Sequence, residues 1–408
     1  MQCRHCENKL NHTLIDLGFS PPSNNYLDNS QLSKPEITYP LVVKVCDSCF
    51  LVQTEDFNEA EELFSNNYAY FSSTSSSWLE HASDYTDMIV ERLKLDNHSK
   101  VVEIASNDGY LLKNFVTKKI PCLGIEPTKS TADAARKLGI DVMEEFFGLR
   151  LSDKISDEFG KADLICGNNV YAHVPDINDF TAGLKNLLNK EGTITLEFPH
   201  LLNLLKFNQF DTIYHEHFSY LSLGAVANIF NKFDLKIYDV EEISTHGGSL
   251  RIYGSHSDSK HAQSKNVERI INAEAEYGLN TMKGYSNFQN VAFNIKLEFI
   301  KFLVDCKQQQ KKVAAYGAAA KGNTLINYAG VKSDLISFVC DEAPSKQDKF
   351  LPMSHIPVLK PEQLELYKPD YVIIFPWNIK DEIIEKYVYI KNWGGQFVTF
   401  IPDLKIHS

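Results

Sequence analysis

The stretch Val101-Val102-Glu103-Ile104-Ala105-Ser106-Asn107-Asp108-Gly109-Tyr110-Leu111-Leu112 passes from an apolar β-branched run, through small turn-forming residues, into a leucine pattern with helical spacing. It predicts a strand, a loop and a helix N-terminus. A second apolar run, Cys122-Leu123-Gly124-Ile125, ends in Glu126, about twenty residues on, where doubly wound folds put the carboxylate that takes both ribose hydroxyls of a nucleotide. The loop has no GxGxxG for a pyrophosphate, and no lysine or hydroxyl pair follows Gly109 as a P-loop requires. Such a site suits an adenosyl ligand without a pyrophosphate, S-adenosylmethionine above all. An ordinary βαβ unit with a surface acid has the same spacing. The residues expected to touch the methyl donor are Glu103, Ala105, Asn107, Gly109, Tyr110, Leu111, Glu126 and Pro127, with Asn168 further on.

From Ser99 to about Phe198 strands alternate with helices: strands at 101–104, 122–125, 162–166 and 193–198, helices at 132–138 and 180–188. That alternation predicts an α/β fold with a parallel sheet covered on both faces. The polar run Gly167 to Asp176, with Asn168, Asn169 and His173, follows the third strand at its carboxyl end, where such sheets bind ligands. Residues from Ser264 to Gln310 read as a helical bridge, and a second Rossmann-like unit starts at Lys312, with strands at 335–340 and 371–375. Its stretch Tyr316-Gly317-Ala318-Ala319-Ala320-Lys321-Gly322-Asn323 suits either a phosphate cradle with Lys321 as charge partner or close packing of helix on strand.

Four of the eight cysteines form two pairs, Cys3-x-x-Cys6 and Cys46-x-x-Cys49. Two such turns present four thiolates to one ion, which predicts a tetrahedral zinc site, with redox or fortuitous pairs as the alternatives; closed coordination would make the metal structural. The metal substitutes for a core in a small module spanning residues 1 to about 56. Cys122, Cys166, Cys306 and Cys340 lie in apolar settings and read as core residues. With 53 acidic against 41 basic side chains and a net charge of −12, no nucleic-acid partner is expected. Neither a signal-like start nor an apolar run of about eighteen residues is present, so the expectation is a cytoplasmic chain with no membrane partner. In the absence of a heptad repeat, a monomer is expected.

Two further stretches carry candidate chemistry. The loop from Tyr68 to Trp78, serine-rich and bracketed by aromatics, is either a flexible connection or a flap over the ligand. Tyr214-His215-Glu216-His217-Phe218-Ser219-Tyr220 is followed by Thr245-His246-Gly247-Gly248-Ser249-Leu250-Arg251. Methylating an oxygen or nitrogen mainly needs positioning, whereas methylating carbon needs an enolate, hence a base and donors at the developing oxyanion. A neutral imidazole beside a carboxylate and a phenol meets that demand. Two other readings stand: His215 and His217 as metal ligands, or a satisfied core cluster. On a regular strand His215 and His217 would share one face, Tyr214 and Glu216 the other.

Together these motifs resemble the S-adenosylmethionine-dependent C-methyltransferases that act on nucleotide-linked ketodeoxysugars, over essentially the whole chain. The resemblance implies a zinc-binding domain (1–80), a class I methyltransferase domain (81–250) and a C-terminal Rossmann-like domain (251–408) that helps hold the nucleotide sugar. It implies a catalytic set of His217 as base, Glu216, Tyr214, His173, Asn169 and Tyr68, with Tyr70 the lesser alternative to Tyr68. It places the nucleotide-diphosphate keto-deoxysugar near His246, Gly247, Lys321, Asn323 and Tyr316. Ala319, where relatives often carry proline, and Thr74, where an aromatic can occur, depart from the family pattern and bear on the sugar or base recognised. The rival readings are methylation of another carbonyl or of an oxygen, and a non-catalytic nucleotide-sugar-binding scaffold.

Overall fold

A computed structural model describes residues 1–57 and 71–407. Tyr68 and Tyr70 lie outside the described residues. The chain opens with three antiparallel strands, β1 (His12–Ser20), β2 (Tyr39–Val45) and β3 (Val52–Thr54). The central region then lays down β4 (Val101–Ile104), β5 (Cys122–Ile125), β6 (Asp141–Met143), β7 (Ala162–Asn168) and β8 (Leu188–Pro199). A two-residue strand, β9 (Ser219–Tyr220), precedes β10 (Leu235–Ile243) and β11 (Ser249–His256).

Seven of these strands form one sheet in the order β6-β5-β4-β7-β8-β11-β10, parallel except for β11, which runs antiparallel to both neighbours. Strand order reverses between β4 and β7, so the ligand crevice of a doubly wound sheet opens at their carboxyl ends. All four residues of β4 are buried, as expected for a strand covered on both faces. β11 carries this sheet past residue 250, later in the chain than the boundary read from the sequence.

β9 does not join that sheet. It pairs with β3, Val52 opposite Tyr220 and Gln53 opposite Ser219, and is the fourth strand of the N-terminal sheet. The C-terminal sheet has the order β14-β13-β12-β15-β16-β17, built from β12 (Val313–Tyr316), β13 (Val339–Cys340), β14 (Val358–Leu359), β15 (Tyr371–Ile374), β16 (Gln396–Thr399) and β17 (Lys405–His407). The strand expected at 335–340 shrinks to two residues, because Leu335 and Ile336 are tied into a turn on the carbonyl of Lys332.

The bridge is two helices, Lys265–Tyr277 and Phe288–Gln308. The longer buries Phe288, Ala292, Ile295, Phe299, Leu303 and Cys306, a three-and-four spacing that puts one stripe inward. Through it one apolar core runs from Ile15 and Val43 of the N-terminal sheet, past Phe210, to Val398 of the C-terminal sheet. Cys166, Cys306 and Cys340 are buried and Cys122 half-buried, all in apolar clusters. Among the described residues no helix is long and apolar enough to cross a membrane.

Candidate active site and metal centre

At the end of β4, Ala105, Asn107 and Gly109 all take positive φ, 58°, 49° and 79°. Only Gly109 is also sterically required, since a Cβ there would stand 2.5 Å from Ile140 Cδ1. Glu126, just past β5, accepts the amides of Asn107 (3.0 Å) and Thr128 (2.9 Å) and so joins the two strand-end loops. Pro127 beside it is half-buried, whereas Leu111 is fully buried in the core under the helix Ser76–Leu93. The serine loop is seated on this crevice. Ser72 donates its amide to Asn107 Oδ1 (2.9 Å) and Ser73 to Asp108 Oδ2 (3.1 Å). Trp78 then stacks on Tyr110 and His81, with His246 against its edge. Residues 71–78 are therefore packed against the loop after β4 rather than free of it.

Several buried polar atoms in the crevice have no hydrogen-bond partner of normal geometry among the described residues: both oxygens of Glu103, Oδ1 of Asp108, and both amide atoms of Asn168. Burial raises the Glu103 carboxyl well above the usual carboxylate range, with the Tyr110 hydroxyl opposing it. Apart from Glu103, which meets the Tyr110 hydroxyl, these buried atoms are open to a polar ligand. S-adenosylmethionine, with an ammonium, a carboxylate and a ribose diol, fits that set.

Beside them lies a buried ion cluster that motif reading missed. Glu197 on β8 stands opposite Arg251 on β11. It accepts Arg251 Nε at 2.7 Å and shares a hydrogen bond of 2.9 Å with His81 Nε2. Burial pushes this carboxyl up, but His81 and Arg251 outweigh it and hold it below the usual range. Arg251 closes the quoted glycine motif, which was the one available signal.

Tyr214 to Phe218 are irregular, with a turn closed by the His217 amide on the Tyr214 carbonyl at 3.0 Å. Strand alternation therefore does not apply, and the side chains diverge. His215 leaves the group, bonding the Pro40 carbonyl through Nε2 at 3.2 Å and meeting Tyr39 edge-on. Glu216 accepts Asn24 Nδ2 at 3.1 Å, and burial raises its carboxyl. His217 Nδ1 bonds the Thr212 carbonyl at 2.8 Å. A carbonyl only accepts, so Nδ1 carries the proton and Nε2 the lone pair. The Tyr214 ring lies 4.0 Å from the His217 ring and that of His173 at 4.7 Å, while His173 Nδ1 donates to the Glu216 carbonyl at 2.6 Å. Burial, then the neighbouring His173, holds His217 well below the ordinary histidine range, so the ring is neutral. Among the described residues neither His215 nor His217 belongs to a group that could hold a metal.

Asn169, itself at φ 54°, reaches His246 Nε2 through Nδ2 at 3.0 Å. His246, Gly247 and Gly248 form a left-handed run at φ 55°, 90° and 107°. Gly247 cannot carry a side chain, because a Cβ would stand 2.4 Å from Trp377 of the C-terminal domain. Trp377 donates to Asp211 at 2.7 Å, and Lys321 lies over its ring at 4.4 Å and donates to Asn378 at 2.7 Å. Burial pushes the Lys321 ammonium down to about 8 and Asp211 up to about 6. The charge of Lys321 is among those felt at His217 and His246.

Asn323 lies beside this cluster, since its neighbour Thr324 donates to the Ile213 carbonyl at 2.8 Å, next to Thr212. Asn323 Nδ2 ties the Ser23 carbonyl at 2.7 Å, and Tyr316 packs in the C-terminal core with its hydroxyl 3.3 Å from that of Tyr387. Gly317 and Gly322 pack under Pro376 and Phe375, where a Cβ would come within 2.3 and 2.8 Å. Close packing accounts for these small residues.

The four sulfurs of Cys3, Cys6, Cys46 and Cys49 lie within 4.8 Å of one another, with Cys3–Cys49 and Cys6–Cys46 both at 3.5 Å. A tetrahedron with Zn–S bonds of about 2.3 Å has edges of about 3.8 Å. The donor set fits zinc.

One relative is the C-methyltransferase NovU of Streptomyces niveus, 32% identical over 407 residues, covering 100% of this chain and 97% of that one. The chain belongs to this C-methyltransferase family. Family models match in the same order: "Putative zinc binding domain" over 3–64, "Methyltransferase domain" over 78–240 and "C-methyltransferase C-terminal domain" over 244–402. The C-methyltransferase thus carries a class I methyltransferase sheet between a cysteine-rich module and a second Rossmann-like sheet. Among solved structures, a SAM-dependent methyltransferase from Anabaena variabilis is 17% identical at a TM-score of 0.35, covering 43% of this chain and 84% of that one. Magnesium protoporphyrin IX methyltransferase from Synechocystis, with bound SAH, is 14% identical at 0.35, covering 44% and 83%.

The buried imidazoles give this C-methyltransferase an acid weakness. Burial pushes His173 and His246 each down to about 4, whereas unfolded they take a proton near pH 6.5. Between those values the unfolded chain binds more protons, so stability present above pH 6.5 is lost as pH falls, by up to about 1.4 kcal/mol per pH unit for each ring. His173→Gln removes one such contribution. Its Tm, followed from pH 7 to 4.5, is expected to fall less steeply than that of wild type; an equal slope would show that His173 is not held neutral.

Proposed function

We propose that this C-methyltransferase methylates the carbon beside the ketone of a nucleotide-diphosphate 4-keto-deoxysugar, through an enolate raised by His217, in the making of a branched deoxysugar. The observation that carries the reading is the His217 tautomer. With Nδ1–H committed to Thr212 and the ring neutral, Nε2 is the one ring atom able to take a proton. That is the requirement for carbon, not for oxygen, as acceptor.

When bound, S-adenosylmethionine supplies an electrophilic methyl group. The chain's part begins with placement: Glu103, Asn107, Gly109, Tyr110, Glu126, Pro127 and Asn168, with Ala105 shaping the loop, hold the donor at the ends of β4, β5 and β7. The sugar's ketone acidifies the neighbouring C–H, and His217 Nε2 takes that proton. Tyr214 and His173 flank the ring, and Asn169 with His246 offers donors for the enolate oxygen. Lys321 places a positive charge for the diphosphate, beside Gly247. Glu216 acts from behind, through its carbonyl on His173. Tyr68 is proposed as a further contact, on the family resemblance.

The test incubates the protein with methyl-labelled S-adenosylmethionine and thymidine-, guanosine- and cytidine-diphosphate keto-deoxysugars in deuterated water. Mass spectrometry and NMR are expected to find one sugar carrying a new C-methyl group, or exchanging the proton beside its ketone for deuterium. Binding of the methyl donor with neither outcome on any sugar would overturn the proposal.

A further inference from the structure

We infer that Thr54, in the cysteine module, is a positioning residue for His217. Thr54 is 2% exposed and ends β3 where the catalytic segment runs alongside. Its hydroxyl donates to the His217 carbonyl at 3.0 Å, and its amide to the Phe218 carbonyl at 3.1 Å. Among the described residues, this hydroxyl is the group from another domain that bonds the His217 backbone.

The strand end that carries this hydroxyl is tied to the cysteine knuckle. Gln53, one residue earlier, donates Nε2 to Cys3 Sγ at 3.3 Å and accepts the Arg4 amide at 2.9 Å. The Arg4 guanidinium donates to the Thr54 carbonyl at 3.1 Å and to the Pro175 carbonyl, two residues past His173, at 2.8 Å. The knuckle thus grips both sides of the histidine pair. A side chain held by interlocked partners on rigid strands keeps its reacting atom in place, and small displacements there cost rate rather than binding. The inference rests on His217 being the base; the tests below separate the two.

Thr54→Val keeps shape and removes the hydroxyl; Thr54→Ser keeps the hydroxyl. The first readout needs no substrate: the His217 ring is titrated by NMR in histidine-labelled protein, its signal assigned by its absence in His217→Gln. Thr54→Val is expected to raise the His217 midpoint by about one pH unit as the segment loosens and water enters, with zinc content and methyl-donor Kd unchanged. Thr54→Ser is expected to match wild type. With an active sugar in hand, kcat is expected to fall roughly tenfold in Thr54→Val at unchanged sugar KM, the equivalent of about 1.4 kcal/mol. An unmoved midpoint in Thr54→Val, or a moved one accompanied by zinc loss, overturns the inference. If wild type turns over no sugar, the substrate reading fails while the titration still decides the role of Thr54.

Discussion

His217→Gln is expected to lower turnover by about 10²- to 10⁴-fold, the range that a positioned general base contributes, while leaving methyl-donor affinity within about twofold. The separation follows from distance in the fold. The proposed donor crevice lies at the ends of β4, β5 and β7, whereas His217 is held by Thr212, Thr54 and the turn on Tyr214. Exchange of the sugar's proton should vanish along with methylation, because both need the same proton transfer. An oxygen acceptor would behave otherwise, since it needs no carbon base. Turnover within about tenfold of wild type, measured with calorimetric confirmation that the donor still binds, would remove His217 from the base role. The pH profile is a second check on the same group. A base must be neutral to act, and burial holds His217 well below the ordinary range, so the acid limb of kcat/KM that it causes should lie below pH 6.5.

Cys46→Ser is expected to cost the protein its metal and, with it, the catalytic segment. Structural zinc sites contribute about 10–16 kcal/mol to the folding of small domains, and the N-terminal sheet has only three strands of its own. Once β3 loosens, β9 loses the strand it pairs with and the Tyr214–Phe218 turn loses Thr54. We expect less than about 0.1 zinc per chain, fast amide exchange over residues 212–220, and turnover reduced at least about 100-fold. The methyl-donor crevice, which shares no hydrogen bond with the knuckle in the structure, should retain its affinity. Zinc-free protein with protected amides at 212–220 and wild-type turnover would show that the metal is not what holds the module.

What could be read from the sequence was local. The Val101–Leu112 stretch does pass from strand through loop to helix, and the two cysteine pairs do bring four sulfurs together. The Glu197–Arg251–His81 cluster was out of reach because its members are 54 and 116 residues apart and meet only through the register of β8 with β11 and the placement of one helix. Asn24 reaches Glu216 across 192 residues for the same reason. In the histidine-rich segment His217 was singled out by resemblance alone, and the turn adds a physical difference: it sends His215 to the Pro40 carbonyl and His217 to that of Thr212. For the small-residue loop at Tyr316 the sequence left a phosphate cradle and close packing both open, and the contacts of Gly317 with Pro376 and Gly322 with Phe375 account for its glycines.

The sharing of β9 bears on how such proteins diversify. A strand supplied to the first domain by the second means that the two cannot be exchanged independently, as beads on a string can. A chimera that takes residues 1–57 from a relative must inherit a matching Phe218-Ser219-Tyr220, or the new module will dock out of register and turn its Thr54 equivalent away from the histidine. Recombination should therefore favour crossovers after Tyr220 over crossovers in the 58–70 connection, even though the connection is where a domain boundary would ordinarily invite the cut.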